Sequence, residues 1–579
     1  MTVFDWVSYK LAAQEFKNAD ELFQHFSDLA DRKQQWDFAH WAAFIFESVV
    51  KGLFYVLFYP VFAVVELLPP DAGGATQFFV GLLAFIITVR VYLAAGRLFI
   101  GLPWRRFLRS LVVRSSPFGK TRWAGFWTLK RAGMFKPGGL FLGEWRGLFG
   151  LVRRDLYHHG EAQILTLASP GSGKSAGLVV PNLLTDQPGS FVVNDPSGEL
   201  TAITRRFRAT RGPVVILNPY AGDFTASEQW ANLLDDTGFN PLSLIDTGPH
   251  LAAECADMAR LLMVTINRDQ GDYFDIDSVQ FLSLVLVHMM LNFPEKERTL
   301  GQLFLFVHRT PDEIEKSLVK MVKAGQPQIV PRAKKFLGIQ ADAPEQWAGV
   351  IARVQQAAAT YEPLTPLGEH VAKSGFDAAD LTRHDMTVYL VCPSQHLRTA
   401  QPWLNLMIGA LGMAVGRPGP ARSVTFLVDE APALGLLPDL RDMIGQFRKA
   451  GLRVWLFSQT RAAFDSIYGR ESAAALLGLA TITQFFGITE WSVAKDASEM
   501  MGETSRANRG LSEGDKTDRD SFSSVGVPLL RPEEIYRAKR GRMVLSIAGI
   551  PHPIQARLVP YFKRRTMRKR ADLNPYRGR

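Results

Sequence analysis

One short segment, the sequence ASPGSGKS at residues 168–175, restricts what this chain can fold into more than any other. An apolar run at residues 164–167 precedes it and another apolar run follows it, which predicts strand, loop and helix in that order. In a P-loop, the backbone N–H groups of such a loop and the helix N-terminus bind phosphate. Ala168 replaces the usual first glycine, so the match is slightly degenerate. The segment predicts nucleotide binding in an α/β fold, with a flexible surface loop as the weaker alternative.

The residues of this segment have different expected roles. Lys174 would neutralise the β- and γ-phosphate oxygens, and the Ser175 hydroxyl would bind the Mg²⁺ that bridges them. The predicted nucleotide-binding residues are Ser169, Pro170, Gly171, Ser172, Gly173, Lys174, Ser175 and Ala176.

Hydrolysis needs carboxylates as well, and the sequence VTFLVDE at residues 424–430 offers two at the end of a predicted strand. Asp429 can hold the Mg²⁺ shell and Glu430 can polarise the attacking water. The alternative is a buried strand that ends in a solvated acidic turn.

Further along, Gln459 ends the next predicted strand and can sense the γ-phosphate, while Arg448 precedes that strand. Chemistry alone leaves Arg448 as either a finger towards a neighbouring subunit's nucleotide or a solvated charge.

Short apolar runs bounded by turn residues alternate with helical patterns, which predicts a parallel sheet covered on both faces. Residues 137–250 and 381–562 would form this single nucleotide-binding domain, and residues 251–380, rich in helical spacing, an inserted all-α domain. Residues 563–579 carry eight Lys or Arg against one acid and are expected to be a mobile basic arm. Predicted strands cover residues 164–167, 190–194, 214–217, 387–392, 424–428, 454–458, 482–487 and 544–548.

The N-terminal part of the sequence contains long apolar stretches. After a cytosolic amphipathic lead at residues 1–40, two apolar stretches at 41–68 and 78–100 are each long enough to span a bilayer, although both carry charges. The loop between them lacks Lys and Arg, whereas residues 101–136 are strongly basic, so we expect a transmembrane hairpin at 41–100 with both ends cytoplasmic. An in-plane hairpin or a buried core pair is the alternative. The basic segment would contact anionic lipid.

Charge and cysteine content limit the function classes. The net charge of +10 favours an anionic partner, either nucleic acid or lipid. The two cysteines, Cys255 and Cys392, exclude a disulfide framework and have no metal-site spacing, so we interpret both as packing residues.

Taken together, these segments resemble the TraG-like coupling proteins of bacterial type IV secretion and conjugation systems. The similarity extends over nearly the whole chain. It rests on the order of the apolar hairpin, the P-loop, residues 195–200 (DPSGEL), residues 239–242 (FNPL), the helical insertion, residues 429–431 (DEA), the spacing from Arg448 to Gln459, residues 486–487 (FG) and the closing segment 553–562.

The resemblance implies a RecA-like ATPase that uses ATP and Mg²⁺ and forms a homo-hexameric ring under the bacterial inner membrane. It implies Lys174 and Ser175 as phosphate and metal binders, Asp429 and Glu430 as metal and water residues, Gln459 as the sensor, and Arg448 as the finger acting across the subunit interface. Ser197 stands where relatives commonly have lysine, so that loop receives no charge role.

Two functions remain open at this stage. In the first, the ring delivers single-stranded DNA with its bound relaxase to a type IV secretion channel. In the second, it is a receptor for protein effectors, with the all-α domain as the receptor. The charge favours DNA, but lipid binding explains part of it.

Overall fold

A long sheet organises the protein in its computed structural model. The structure describes residues 119, 121–147, 150–224, 230, 233, 235–263, 273–417, 419, 422–435, 443, 445, 447–510 and 521–576, together with seven positions between 80 and 90. The strands of these residues are β1 (Leu140–Gly147), β2 (Val152–His158), β3 (Ile164–Ala168), β4 (Ser190–Asp195), β5 (Val214–Leu217), β6 (Thr387–Val391), β7 (Val424–Val428), β8 (Leu452–Ser458), β9 (Ile482–Phe486), β10 (Glu503–Gly510), β11 (Ser521–Pro528), β12 (Arg542–Ile547) and β13 (Ile554–Arg557).

Eleven of these strands form one sheet in the order β2-β1-β13-β12-β9-β3-β8-β7-β4-β6-β5. The strands from β9 to β5 in this order all run parallel, whereas β12, β13, β1 and β2 extend the sheet by antiparallel pairing. Strands from both predicted segments of the nucleotide-binding domain lie in this sheet, which is split in sequence and single in space. Strand β8 lies between the P-loop strand β3 and the acidic strand β7. Strands β10 and β11 pair separately as a hairpin.

Alternate residues of the central strands face two different cores, as a parallel sheet covered on both sides requires. In β4, Val192 faces one core, whereas Phe191 and Val193 face the other. The first core continues into the helices that follow β5, and the second contains the helix after the P-loop. Cys255 and Cys392 are buried and free, which confirms their interpretation as packing residues.

A run of helices connects β5 to β6, and no strand interrupts it among the described residues. Because β5 and β6 pair directly, the whole run is one crossover connection. The predicted start at Thr310 is confirmed, since Thr310 and Glu313 form a capping box. The helices of this lobe are Leu251–Met263, Tyr273–Asn292, Leu300–Val307, Pro311–Lys323, Val330–Asp342, Pro344–Ala359, Pro366–His370 and Asp380–Arg383.

The remaining helices cover the sheet. They are Phe126–Arg131, the π-helix Ser175–Val179 with its continuation Val180–Leu183, Glu199–Ala209, Leu397–Gly416, Ala462–Tyr468, Arg470–Gly478, Trp491–Met501, Pro532–Tyr536 and Arg565–Arg570.

The folded unit begins earlier than the predicted boundary at residue 137. Leu129 is fully buried, and the Ala124 N–H donates to Pro553 O at 2.8 Å. Residues 121–136, which we expected to be a basic segment at the membrane, are therefore part of the sheet domain. The chain divides into two compact units, Met1–Ser116 and Pro117–Arg579.

The C-terminal segment also differs from the prediction of a mobile arm. Arg564 donates two hydrogen bonds to the Asp155 carboxylate, at 2.7 and 2.8 Å, and Arg570 Nη2 donates to Asp186 Oδ2 at 2.6 Å. Asn574 binds Glu199 in the same way. Carboxylates distributed along the chain pair with the basic residues, so the segment lies against the domain through residue 576.

The predicted transmembrane hairpin falls largely outside the described residues. The described positions between 80 and 90 are helical. Within the part of the chain that the structure describes, no helix has the length and apolar character required to cross a bilayer.

Candidate nucleotide-binding site

The loop between β3 and the following helix has the conformation that its glycines allow. Gly171 and Gly173 have φ values of +68° and +94°, in the region that favours glycine. Ser169 Oγ lies 2.7 Å from Thr489 Oγ1 and accepts the Thr489 N–H at 3.1 Å. Across the loop, a Cβ atom on Gly487 would lie 2.4 Å from Ser172 Cβ. The segment after β9 therefore packs directly against the P-loop.

The predicted helix after the loop begins with a π-turn. The Val180 N–H donates to Ser175 O, five residues earlier. Pro181 has no N–H to donate to the previous turn, which explains why a regular α-helical ladder does not start here. The buried Asn182 then fixes the helix to β1, because its side chain accepts from Phe141 N at 2.8 Å and donates to Phe141 O at 2.9 Å.

Charged and amide side chains that follow three strands meet at the carboxyl edge of the sheet. Lys174 Nζ lies 2.6 Å from Asp429 Oδ1 and 3.4 Å from Glu430 Oε2. Gln459 Nε2 donates to Glu430 Oε2 at 3.3 Å. Because Gln459 follows β8, it lies at the end of the strand beside the acidic strand, as predicted, and the structure places that strand next to the P-loop strand as well. The structure thus brings together Lys174, Asp429, Glu430 and Gln459.

The acidic residues are held in a defined position. Asn194 Nδ2 donates to the backbone O of Asp429 at 3.1 Å. Glu430 has φ +56°, a left-handed conformation that is uncommon for a residue other than glycine. Strain of this kind concentrates at functional sites, where the surrounding structure maintains it.

The charges of the site influence one another. Burial lowers the pKa of Lys174, but the nearby Asp429 and Glu430 carboxylates outweigh this effect, and its pKa is raised overall. Lys174 is therefore a cation throughout the physiological pH range.

The loop and its surroundings fit a nucleotide with Mg²⁺. The buried Ser172 hydroxyl has no hydrogen-bond partner among the described residues. Lys174 offers a cation for phosphate oxygens, and Ser175 and Asp429 are hard oxygen ligands of the type that Mg²⁺ prefers.

Arg448 lies elsewhere. It belongs to the short helix Phe447–Ala450, which precedes β8, and its Nε atom lies 3.5 Å from Glu161 Oε2. Glu161 precedes β3, so this ion pair is at the amino edge of the sheet, opposite the P-loop. Arg448 does not contribute to the Lys174 site of its own chain.

Sequence reasoning missed two residues that shape the site. Thr489 follows β9 and Asn194 lies near the end of β4, and both strands had been predicted. Because the carboxyl ends of parallel strands share one edge, polar residues at those ends were detectable candidates.

In the parallel part of the sheet, one strand lies between the P-loop strand and the strand that ends in the acidic pair. This strand order and the P-loop site define a RecA-like P-loop NTPase fold. A family profile described as "Type IV secretory system Conjugative DNA transfer" matches residues 122–576, and the chain belongs to this family.

Known proteins support this assignment. The chain is 24% identical over 436 residues to the type IV secretion system-coupling protein VirD4 of Bartonella quintana, covering 72% of this chain and 65% of that protein. It is 23% identical to the conjugal transfer protein TraG of Escherichia coli, covering 73% and 71%. The plasmid coupling protein TrwB, solved in complex with ADP and Mg²⁺, has the same fold, with a TM-score of 0.56 and 17% identity over 77% of this chain and 95% of that chain.

Proposed function

We propose that this protein is an ATPase coupling protein that delivers single-stranded DNA with its bound relaxase to a type IV secretion channel. The observation that carries the ATPase part is the cluster of Lys174, Asp429, Glu430 and Gln459 at the P-loop edge. TrwB, which shares the fold, is described in complex with ADP and Mg²⁺. The names of the VirD4 and TraG relatives support the transfer part.

Each residue of the cluster has a chemical role in this proposal. Residues 169–176 hold the phosphates, with Lys174 as the cation, while Ser175 and Asp429 hold Mg²⁺. When bound, Mg²⁺ neutralises charge on the β- and γ-phosphates. Glu430 accepts a proton from the attacking water, and Gln459, already hydrogen-bonded to Glu430, orients the groups around the γ-phosphate.

The position of Arg448 supports a ring. An arginine at the amino edge, 52% exposed, is available to a neighbouring subunit and not to the P-loop of its own chain. We therefore propose a homo-hexamer in which Arg448 completes the site of the next subunit. The proposal includes a bacterial inner-membrane location through a hairpin at residues 41–100, with the bulk of the chain cytoplasmic.

The domain division is also part of the proposal. Strands β1 to β9, β12 and β13 with their covering helices form the motor, and the helices between β5 and β6 form a lobe available to partners. A receptor for protein effectors is the second candidate, because this lobe makes up a large share of the folded unit.

The test is the ATPase rate of the full chain with and without single-stranded DNA, measured over a salt series. The expected result is stimulation by DNA that weakens with salt, because phosphate contacts release counterions. Hydrolysis without any DNA binding or stimulation, at protein concentrations where rings form, would favour the effector receptor. Absence of Mg²⁺-dependent hydrolysis in both conditions would refute the ATPase proposal itself.

A further inference from the structure

A second cavity lies at the carboxyl edge of the sheet, apart from the P-loop. Its volume is about 270 Å³, and residues from the segments after β4, β5 and β6 line it together with Tyr576 from the C-terminal segment. Sites for drug-sized ligands occupy roughly 300–1,000 Å³, so this cavity suits a single side chain.

Three aromatic rings form a continuous wall of the cavity. The ring centroids of Phe224 and Trp230 are 5.3 Å apart, and those of Trp230 and Tyr576 are also 5.3 Å apart. The Tyr576 hydroxyl donates to Ser197 O at 2.7 Å, which holds its ring at this position. Aromatic faces carry negative charge density and attract cations.

A carboxylate lies on the same cavity. Asp223 Oδ2 accepts from Gln395 Nε2 at 3.0 Å and lies 2.6 Å from His396 Nε2, and the His396 ring stacks on Tyr220 with centroids 4.1 Å apart. These contacts fix the orientation of the carboxylate. Among the described lining residues there is no lysine or arginine.

The lining of the cavity therefore favours a cationic ligand over an anionic one. A phosphate or carboxylate ligand would meet Asp223 and the aromatic rings, and no lysine or arginine among the described lining residues would balance its charge. A guanidinium or ammonium group would meet a carboxylate, aromatic faces and the oxygen atoms of Ser197 and Gln395, which accept its N–H groups.

We propose that this cavity binds the cationic side chain of an arginine or lysine presented by a protein segment. The ligand comes either from a partner protein or from this chain, in which Arg577 follows Tyr576 directly. Binding here does not depend on ATP hydrolysis, so the proposal stands or falls separately from the ATPase.

The experiment uses the purified full chain without nucleotide and the peptide acetyl-Gly-Arg-Gly-amide, titrated by saturation-transfer difference NMR. The matched ligand contains citrulline, which has the shape of arginine without its charge. We expect the arginine peptide to bind at least tenfold more tightly than the citrulline peptide, with affinity that falls as salt rises.

Substitutions in the lining test whether the arginine peptide binds in this cavity. Asp223→Asn and Trp230→Leu are each expected to weaken the arginine peptide at least fivefold. The same substitutions at exposed positions, Asp312→Asn and Trp127→Leu, should leave it unchanged. A chain with Arg577→Ala and Arg579→Ala distinguishes the two sources. Tighter peptide binding would identify the chain's own terminus as the competing cation, and unchanged binding would exclude it and leave a partner protein as the source.

Three results would overturn the proposal. The first is equal binding of the arginine and citrulline peptides by the unmodified chain. The second is no saturation transfer at millimolar peptide. The third is displacement of the peptide by an oligothymidylate whose binding is lost in Trp230→Leu, which would show that the cavity stacks a nucleic-acid base instead.

Discussion

Lys174 Nζ and Asp429 Oδ1 lie 2.6 Å apart, so the P-loop lysine directly contacts the acidic strand. The two residues come from distant parts of the sequence and meet because β3 and β7 end at the same edge with only β8 between them. A phosphate group bound at this loop would have to compete with the Asp429 carboxylate for the Lys174 ammonium group.

Lys174→Ala removes the cation that we propose neutralises the phosphates. We expect ATP hydrolysis to fall by about 100-fold or more, the range found when one preorganised charge-stabilising group is lost. The control is Lys495→Ala, a lysine whose side chain is 64% exposed and pairs only loosely with Glu499, at 3.9 Å. Steady-state ATPase assays provide the measurement. Equal rates in the Lys174 and Lys495 variants would show that the P-loop is not the active site.

Glu430→Gln keeps the size of the side chain and its contact with Gln459 but removes the carboxylate that we propose accepts the proton of the attacking water. ATP binding should be retained while turnover falls by roughly 100-fold or more, because general-base catalysis contributes on that order. Binding is measured with a fluorescent ATP analogue and turnover by phosphate release. Glu499→Gln, on an exposed helix face, is the matched control. Normal turnover in Glu430→Gln would assign the base to another residue.

Arg448 and Lys174 are expected to act on the same nucleotide from different subunits, because Arg448 pairs with Glu161 at the opposite edge of its own sheet. Arg448→Ala and Lys174→Ala should each be inactive alone. Mixed in equal amounts, they should recover activity, because about a quarter of the interfaces then combine an intact P-loop with an intact arginine. Mixtures that stay inactive after subunit exchange, verified by mass spectrometry, would rule out a role across the interface.

Gly487→Ala tests the support behind the P-loop. The new Cβ would lie 2.4 Å from Ser172 Cβ, and Gly487 has φ +59°, so the loop or the segment after β9 must shift. ATP affinity should fall at least tenfold while the sheet remains folded. Gly478→Ala, where an added Cβ meets nothing within 4 Å, is the control. Unchanged affinity in Gly487→Ala would show that the loop adapts without loss.

Asp195 should make stability depend on pH. It is fully buried, and burial raises its pKa to about 6 although the Thr201 N–H and hydroxyl donate to it. Between about pH 4 and 6 the folded chain holds a proton that the unfolded chain has lost, so the free energy of unfolding falls as pH rises.

Asp195→Asn removes this titration. The difference in unfolding free energy between variant and unmodified chain should shift in favour of the variant by at most about 3 kcal/mol from pH 4 to pH 7, at about 1.4 kcal/mol per pH unit. Urea denaturation at each pH measures it, with the exposed Asp312→Asn as the control. A difference that does not vary with pH would show that Asp195 is ionised throughout this range.

The parallel core was predictable because its strands are continuous apolar runs that end in turn residues. Strands 214–217 and 424–428 were predicted with their observed bounds, and the polar ends of β3, β7 and β8 indicated the site. The antiparallel extension was not predictable in the same way. Strand β1 contains a register shift between Phe141 and Gly143, and β2 carries the exposed Arg153 and Arg154, so neither shows a regular alternation.

The C-terminal segment shows a second limit. Its positive charge predicted solvation, yet Arg564 and Arg570 pair with Asp155 and Asp186, whose positions depend on the complete fold. Charge counts along a sequence do not contain such long-range partners. The position of Arg448 was not predictable for the same reason, because it depends on the arrangement of the strands, which places Arg448 on the edge opposite the P-loop.

The helical lobe between β5 and β6 has a consequence for changes in chain length. Because these two strands are hydrogen-bonded neighbours, the chain leaves and re-enters the sheet at adjacent positions, and the lobe between them packs on the sheet through one shared core. Changes in length are therefore expected to be tolerated best in the loops between the lobe helices, away from the core that the lobe shares with the sheet.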